Sequence, residues 1–302
     1  MTQSRFGVEI EMTGVSRRDA ADIINKVIRG TVKHVGGSYD TYTITAQDGR
    51  EWKVVRDGSI RCFKKSSDGR TIGANDYHSV EVVTPILTYK EDIATLQDVV
   101  RELRKGGAMV NNSCGIHIHL DGKGHDARTI RNFVNIIYSH NDLFYKALAI
   151  ESMRAKYCKA LDNDMVQKLN EKKPTTLKEI EDIWYDNCSL YSREQHYNPT
   201  RYHFLNLHSF FHGHHTVELR GFNSTLHAGE LRSYVVFALA LNNQALTQKH
   251  VNTKKPQVEN EKFAMRTYLN RLGLIGEEFK ACREHLTKHL NGSSAWRFGR
   301  TA

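Results

Sequence analysis

From Arg5 to Thr13 apolar and polar residues alternate with the two-residue period of a strand. The spacing then changes. Between Ser16 and Arg29, Ile23, Ile24, Val27 and Ile28 fall on one side of a helix that Ser16 can cap and Gly30 can end. Short β-like runs follow at Thr31 to Val35, Tyr39 to Thr45 and Glu51 to Arg56, and the turns at Gly36-Gly37 and Asp48-Gly49 predict an antiparallel meander. Ser66 to Asn75 reads as a loop, and Ser79 to Val83 as a strand stopped by Thr84-Pro85. Tyr89 to Lys105 predicts a helix, with Thr88 and Glu91 spaced as a capping box and Gly106-Gly107 as its terminator.

Gly115 to Leu120 predicts another strand, and the stretch from Asp126 to roughly Asn170 is mainly helical. A further helix follows the Thr176 and Glu179 capping pair. Tyr202 to Phe210 and Thr216 to Phe222 predict a hairpin, and helices follow at Gly229 to Lys249, about Val258 to Leu272, and Glu277 to Leu290. Strands and helices without a steady β-α-β rhythm predict an α+β fold, with helices packed on one face of a mostly antiparallel sheet. No repeat or low-complexity linker divides the chain. We expect one domain over residues 1–302, with a helical insertion at about 126–200 and a basic helical region at about 229–302.

Composition narrows the class. A hydrophobic share of 39% and a charged share of 25% are those of a globular protein, and no run of eighteen apolar residues is present to span a bilayer. Met1 to Ser4 leads straight into the first strand without the pattern of a signal peptide, so a cytoplasmic location is expected. The five cysteines, Cys62, Cys114, Cys158, Cys188 and Cys282, are widely spread and expected to be reduced. A formal charge of +9 suits polyanions, whether nucleic acid, cell-wall polymer or nucleotide phosphate. From Lys249 to Ala302 eleven basic residues stand against five acidic ones, read mainly as solvated helix faces.

The chemistry lies in what the alternation exposes. In Gly7-Val8-Glu9-Ile10-Glu11-Met12 the strand period puts Val8, Ile10 and Met12 on one face and both glutamates on the other. Cys114 to Leu120 divides likewise, with Ile116, Ile118 and Leu120 opposite His117 and His119. Val217-Glu218-Leu219-Arg220 repeats the arrangement, and Glu81 stands alone among Val80, Val82 and Val83. Each instance has a plain reading as a polar sheet face. Together they collect carboxylates and imidazoles suited to divalent cations, with Arg220 offering a planar fork to phosphate.

The segments FGVEIEM at 6–12, WKVVRDGSI at 52–60, VEVVTPIL at 80–87, CGIHIHL at 114–120 and TVELRGFN at 216–223 together resemble the amidoligase family. That family belongs to the carboxylate-amine ligase superfamily, with glutamine synthetase and glutamate-cysteine ligase. The resemblance implies a curved sheet of the glutamine synthetase catalytic-domain type, helices on its outer face, and an ATP site with Mg²⁺ or Mn²⁺ bridging phosphates and substrate. It implies metal-ligand roles for Glu9, Glu11, Glu81, His117 and Glu218, and phosphate contact by Arg220. Asp57 matches the Asp-Gly-Ser turn of the family, and His119 would then either support the metal ligands from behind or face the nucleotide. Arg201 and Asn206 are weaker candidates for substrate or phosphate contacts.

The activity so implied is ATP-dependent amide formation, in which a carboxylate accepts the γ-phosphoryl group and an amine displaces phosphate. The carboxylate could be an amino acid, a peptide or a protein terminus, and the general base is not named by any motif. Phage or bacterial origin fits the resemblance. One rival is a metal-dependent or thiol hydrolase, resting on Cys114 near His117 and on His212, His214 and His215. Cys114 reads better as structural, and the histidine cluster as a hairpin turn. The other rival is an inactive basic protein that binds polyanions, nucleic acid among them, through its C-terminal helices.

Overall fold

The computed structural model describes residues 4–186 and 188–297. Strand β1 (Arg5–Met12) forms where the alternation is strictest. Helix α1 (Arg17–Ile28) starts at a reciprocal cap: the Ser16 hydroxyl accepts from the Asp19 amide, and the Asp19 carboxylate accepts from the Ser16 amide. The meander β2 (Thr31–Gly36), β3 (Thr41–Thr45) and β4 (Glu51–Val55) follows as expected. Strands β5 (Phe63–Lys65) and β6 (Thr71–Gly73) make a small separate hairpin where a longer loop was expected. Its turn closes through the Ser66 amide and Arg70 carbonyl, 2.9 Å apart.

Next come β7 (Val80–Val83), β8 (Leu87–Thr88), α2 (Tyr89–Lys105), β9 (Gly115–Asp121), α3 (Ala127–Ala147), α4 (Asn163–Lys172), α5 (Leu177–Trp184) and α6 (Leu190–Arg193). The chain ends with β10 (Leu205–Asn206), α7 (His208–His212), β11 (Thr216–Asn223), α8 (Ala228–Thr247), α9 (Glu261–Arg271) and α10 (Lys280–Thr287). Residues 298–302 of the expected basic region lie outside the described residues.

The main sheet runs β10-β11-β9-β1-β7-β4-β3-β2, with β8 also on β1, and each of its strand ladders is antiparallel. One face is the core: Val8, Ile10, Met12, Val80, Val82, Ile116, Ile118 and Leu120 are fully buried. Against it α1 packs on β3 and β4, and α8 on β9, while α2 touches both helices and α3 and α10 flank α8. The middle of α8, Tyr234 to Leu241, is apolar and buried all round because it has neighbours all round. Among the described residues, no helix is long and apolar enough to cross a membrane.

Three local expectations are corrected. The cap of α2 is made by Asp92, whose carboxylate accepts from the Thr88 amide at 2.7 Å, while the Thr88 side chain caps nothing. One residue further into the helix, Asp92 also meets Arg50 at 2.8 Å, a partner Glu91 does not share. The strand expected at 202–210 shrinks to β10, because the Asn206 side-chain oxygen takes the His208 amide at 2.8 Å and turns the chain into α7. The helical run from 126 breaks after α3, where Asn223 donates to the carbonyls of Leu148 and Ala149. Residues 149–162 thereby cross to the polar side of the sheet.

Candidate metal centre

Registry across the central strands assembles the polar face. Glu9 of β1 stands opposite His117 of β9, Glu11 opposite Glu81 of β7, and Glu218 of β11 opposite His119. Four strands from distant parts of the chain thus deliver carboxylates and imidazoles to one patch, since alternate side chains share a face.

Two ligand groups result. In the first, Glu9, His117 and Glu218 each offer an atom, all within 4.8 Å of one another. His117 Nδ1 lies 2.9 Å from Glu9 Oε2 and 3.8 Å from Glu218 Oε1. In the second, Glu11, Asp57 and Glu81 converge within the same limit. Asp57 is held by its turn: its carboxylate accepts the Ser59 amide at 2.6 Å, and its own amide donates to Ser79 Oγ at 3.0 Å. His117 Nε2, 3.6 Å from Glu11 Oε1, stands between the groups.

Backbone irregularity aims Arg220. A β-bulge sets Leu219 opposite Ile118 but Phe222 opposite Ile116, giving β11 one extra residue there. Arg220 then donates to Glu218 Oε1 and is buried with it. Gly221 is required beside it, because a Cβ there would lie 2.0 Å from the buried Phe204 ring.

A family model described as "putative amidoligase enzyme" matches residues 2–242. The chain belongs to the amidoligase family. No curated protein matches it. All members of both ligand groups, and Arg220, fall in the matched span of this amidoligase; α9 and α10 lie beyond it.

The electrostatics of the amidoligase centre are those of a site short of positive charge at one end. Burial raises the Glu81 pKa well above the usual carboxylate range, and the charges of Glu9, Glu11 and Asp57 add to it. Its carboxylate has no hydrogen bond or ion pair among the described residues. Burial likewise raises Glu11, against the pull of His117. At the other end burial is overcome. Burial would raise Glu218, but Arg220, His119 and His117 outweigh it and hold the carboxyl down at about 2. Burial would lower His119, yet Glu9 and Glu218 push it up to about 9. For Glu9 too, burial is outweighed by the two histidines, and the pKa falls well below the ordinary value.

These donors fit divalent cations: one imidazole with two carboxylates suits a borderline metal, and three carboxylates a hard one. The unpartnered Glu81 carboxylate is the observation behind that fit, supported by His119 Nε2, which is buried without a hydrogen-bond partner although 3.2 Å from Glu9 Oε1.

Two cavities flank the row. One of about 320 Å³ is lined by Glu11, Asp57, His117, Arg201 and Arg220, and the other, of about 540 Å³, by Glu9, His119, Lys53, Pro85 and Ile86. His119 faces this second cavity, with Nδ1 3.0 Å from Thr216 Oγ1. Of the residues expected from sequence, Asn206 is displaced from ligand contact: it is buried and donates to Glu218 Oε2 at 2.6 Å, so it positions that carboxylate. Arg201 lines the smaller cavity without joining either ligand group. Cys114 is buried, and burial pushes its thiol up to about 11, contrary to what a nucleophile needs.

Sequence reading missed Arg154. It reaches from the irregular 149–162 segment to the carbonyls of Phe222 and Arg220, bracing the bulge, and occupies the space a Cβ on Gly115 would fill. It also missed the Gly115 amide, which donates to Glu11 Oε2 at 2.6 Å. Neither belongs to a periodic pattern, so no sequence signal marks them.

Proposed function

We propose that the chain is an ATP-dependent carboxylate-amine ligase that joins a carboxylate to an amine through an acyl phosphate, with two or three Mg²⁺ or Mn²⁺ ions. The observation that carries this reading is the pair of adjacent three-ligand groups sharing β1, one ending on the Glu218–Arg220 pair. Bound ions would screen the triphosphate and polarise the transferring phosphoryl group.

On this reading Glu9, His117 and Glu218 would hold one ion, and Arg220 would steady charge on the phosphoryl group in transfer. Glu11, Glu81 and Asp57 would hold a second ion, beside which the substrate carboxylate would be placed. The nucleotide enters from the larger cavity past His119, and the carboxylate from the smaller one. The sheet is then the counterpart of the curved sheet of glutamine synthetase-type ligases, and the enzyme works in the cytoplasm on an amino acid, peptide or protein carboxylate.

The test is a screen for ADP release with Mg²⁺ or Mn²⁺ across paired carboxylates and amines, with mass analysis of products. Amide formation dependent on metal, carboxylate and amine supports the reading. Failure of the purified chain to bind Mg·ATP or Mn·ATP at any concentration up to the millimolar range sinks it.

A further inference from the structure

Much of the basic C-terminal region is spent on internal partners. Lys288 pairs with Glu230 and Lys280 with Glu277, while Arg283 donates to the carbonyls of Leu274 and Gly276. Lys254 and Arg271 are different. Their side chains make no hydrogen bond or ion pair among the described residues, and together with His250 they line a third cavity, of about 630 Å³. No aspartate or glutamate among the described residues lines it. The cavity lies where the C-terminal end of α8 meets α9 and residues 248–256. Apart from Ser139, His140 and Ala240, its wall lies beyond residue 242, where the family match ends.

The frame of this cavity is held in place. Two fully buried asparagines pin the irregular segment to α3: Asn132 donates to the Gln248 carbonyl at 2.7 Å and accepts the Val251 amide at 3.1 Å, and Asn135 donates to the Val251 carbonyl at 2.8 Å. Tyr268 donates to Gln244 Oε1 at 2.6 Å, and Gln244 Nε2 to Gln248 Oε1 at 3.0 Å, which fixes these side chains in series. His140 stacks on Phe144, with its ring centroid 4.3 Å from that of Tyr268. Its Nδ1 lies 3.1 Å from the Ile136 carbonyl, which can only accept, so Nδ1 carries the proton and Nε2 the lone pair. Burial lowers the His140 pKa against the pull of that bond and favours the neutral ring. Nε2 makes no hydrogen bond, yet it is not sealed off. The wall thus offers cations without competing carboxylates, and beside them a neutral acceptor. That combination complements an anion carried on a hydroxyl-bearing body.

We propose that this cavity binds a sugar phosphate, free or as part of a nucleotide, with Lys254, Arg271 and His250 receiving the phosphate and His140 Nε2 accepting a sugar hydroxyl. The site is independent of the ligase reading, since no residue of either ligand group lines it. Several separate cations suit a phosphate dianion better than the single charge of a carboxylate. A nucleic acid is the less suitable occupant. Lys280, Arg283 and Lys288, which would extend a basic stripe along α10, are engaged elsewhere, and His140 lies in a recess between helices.

The experiment is calorimetric titration of the full chain in EDTA, so that the metal centre holds no ion, with ribose 5-phosphate, AMP, inorganic phosphate, ribose and a single-stranded RNA oligonucleotide as separate probes. Ribose 5-phosphate, AMP or both are expected to bind at least about tenfold more tightly than ribose or phosphate, and the tighter of the two identifies the source of the sugar phosphate. Lys254→Ala and Arg271→Ala are each expected to weaken that binding by about tenfold, as loss of a charged hydrogen bond does. Both side chains are exposed, and unchanged melting temperatures show that the fold is kept. His140→Phe keeps the ring stack and is expected to abolish the preference for the sugar phosphate while leaving inorganic phosphate unchanged. Glu81→Gln is expected to change none of these affinities. No binding of ribose 5-phosphate or AMP up to the millimolar range, binding indifferent to Lys254→Ala and Arg271→Ala, or binding weakened by Glu81→Gln overturns the proposal. So does RNA binding that is tighter than that of either small probe and is lost in the same two variants, which would make the surface a nucleic-acid face.

Discussion

Glu11 and Glu81 face each other across the β1–β7 ladder, a pairing of like groups that a sheet ordinarily avoids. Burial and neighbouring charge both disfavour ionised Glu81, so its neutral isostere removes repulsion at little cost to packing. Glu81→Gln is therefore expected to leave the metal-free melting temperature level or higher, while lowering Mn²⁺ stoichiometry by one. Glu9→Gln should do the opposite to stability. It strips the counter-charge from His117 and His119 and should cost about 1–3 kcal/mol, the usual penalty for stranding a buried polar partner. Parallel melts and Mn²⁺ titrations decide the matter; equal destabilisation by both variants would contradict it. At this scale the side chains that the structure gathers were legible where they follow strand period, as at Glu9, Glu11, His117 and Glu218. Legibility ended where a side chain acts from an irregular segment, as Arg154 does, or spends its polarity on a neighbour, as Asn206 does.

Elements were legible in proportion to their length and periodicity. β1, β9, α1 and α2 emerge near their expected limits because each buries one regular stripe. The short β10 and the break after α3 depend on one hydrogen bond that Asn206 accepts and two that Asn223 donates, which the local pattern does not announce. The start of α2 shows the same limitation, since Asp92 rather than Glu91 takes the Thr88 amide. Burial would raise the Asp92 pKa, but Arg50 and the Thr88 amide outweigh it and lower it. Because the native value lies below the unfolded one, near ~3.9, the stabilisation is whole above that pH. It is lost as pH falls through the lowered native value. Asp92→Asn is expected to cost about 1 kcal/mol at neutral pH, as other lost caps do, with the gap from wild type closing below about pH 4. Urea unfolding at pH 7 and pH 3 measures both; a gap that persists in acid would refute the ionic part.

On the scale of the molecule, the family match stops inside α8, yet the core does not. Leu286 of α10 and Leu269 of α9 are fully buried, and α10 lies directly on α8, which in turn backs β9. Leu286→Ala should cost about 2–5 kcal/mol, the range for a buried leucine truncated in a packed interior. It should also displace a single cooperative urea transition. An early separate transition, with the main one unmoved, would show the C-terminal helices to be an independent unit. The general plan, helices on one face of a mostly antiparallel sheet, was open to sequence because strand and helix periods differ. The order of strands was not, since nothing local says that β1 will sit between β7 and β9.

That order has a consequence for how the centre comes into being during synthesis. Glu11, Asp57 and Glu81 all lie in the first third of the chain, on β1, β7 and the turn after β4, which are neighbours in the sheet. Glu9, sharing β1 with Glu11, waits for His117 and finally for Glu218. A chain growing from its N-terminus thus owns one complete set of metal donors long before the other, and the half that would meet phosphate is the last to close.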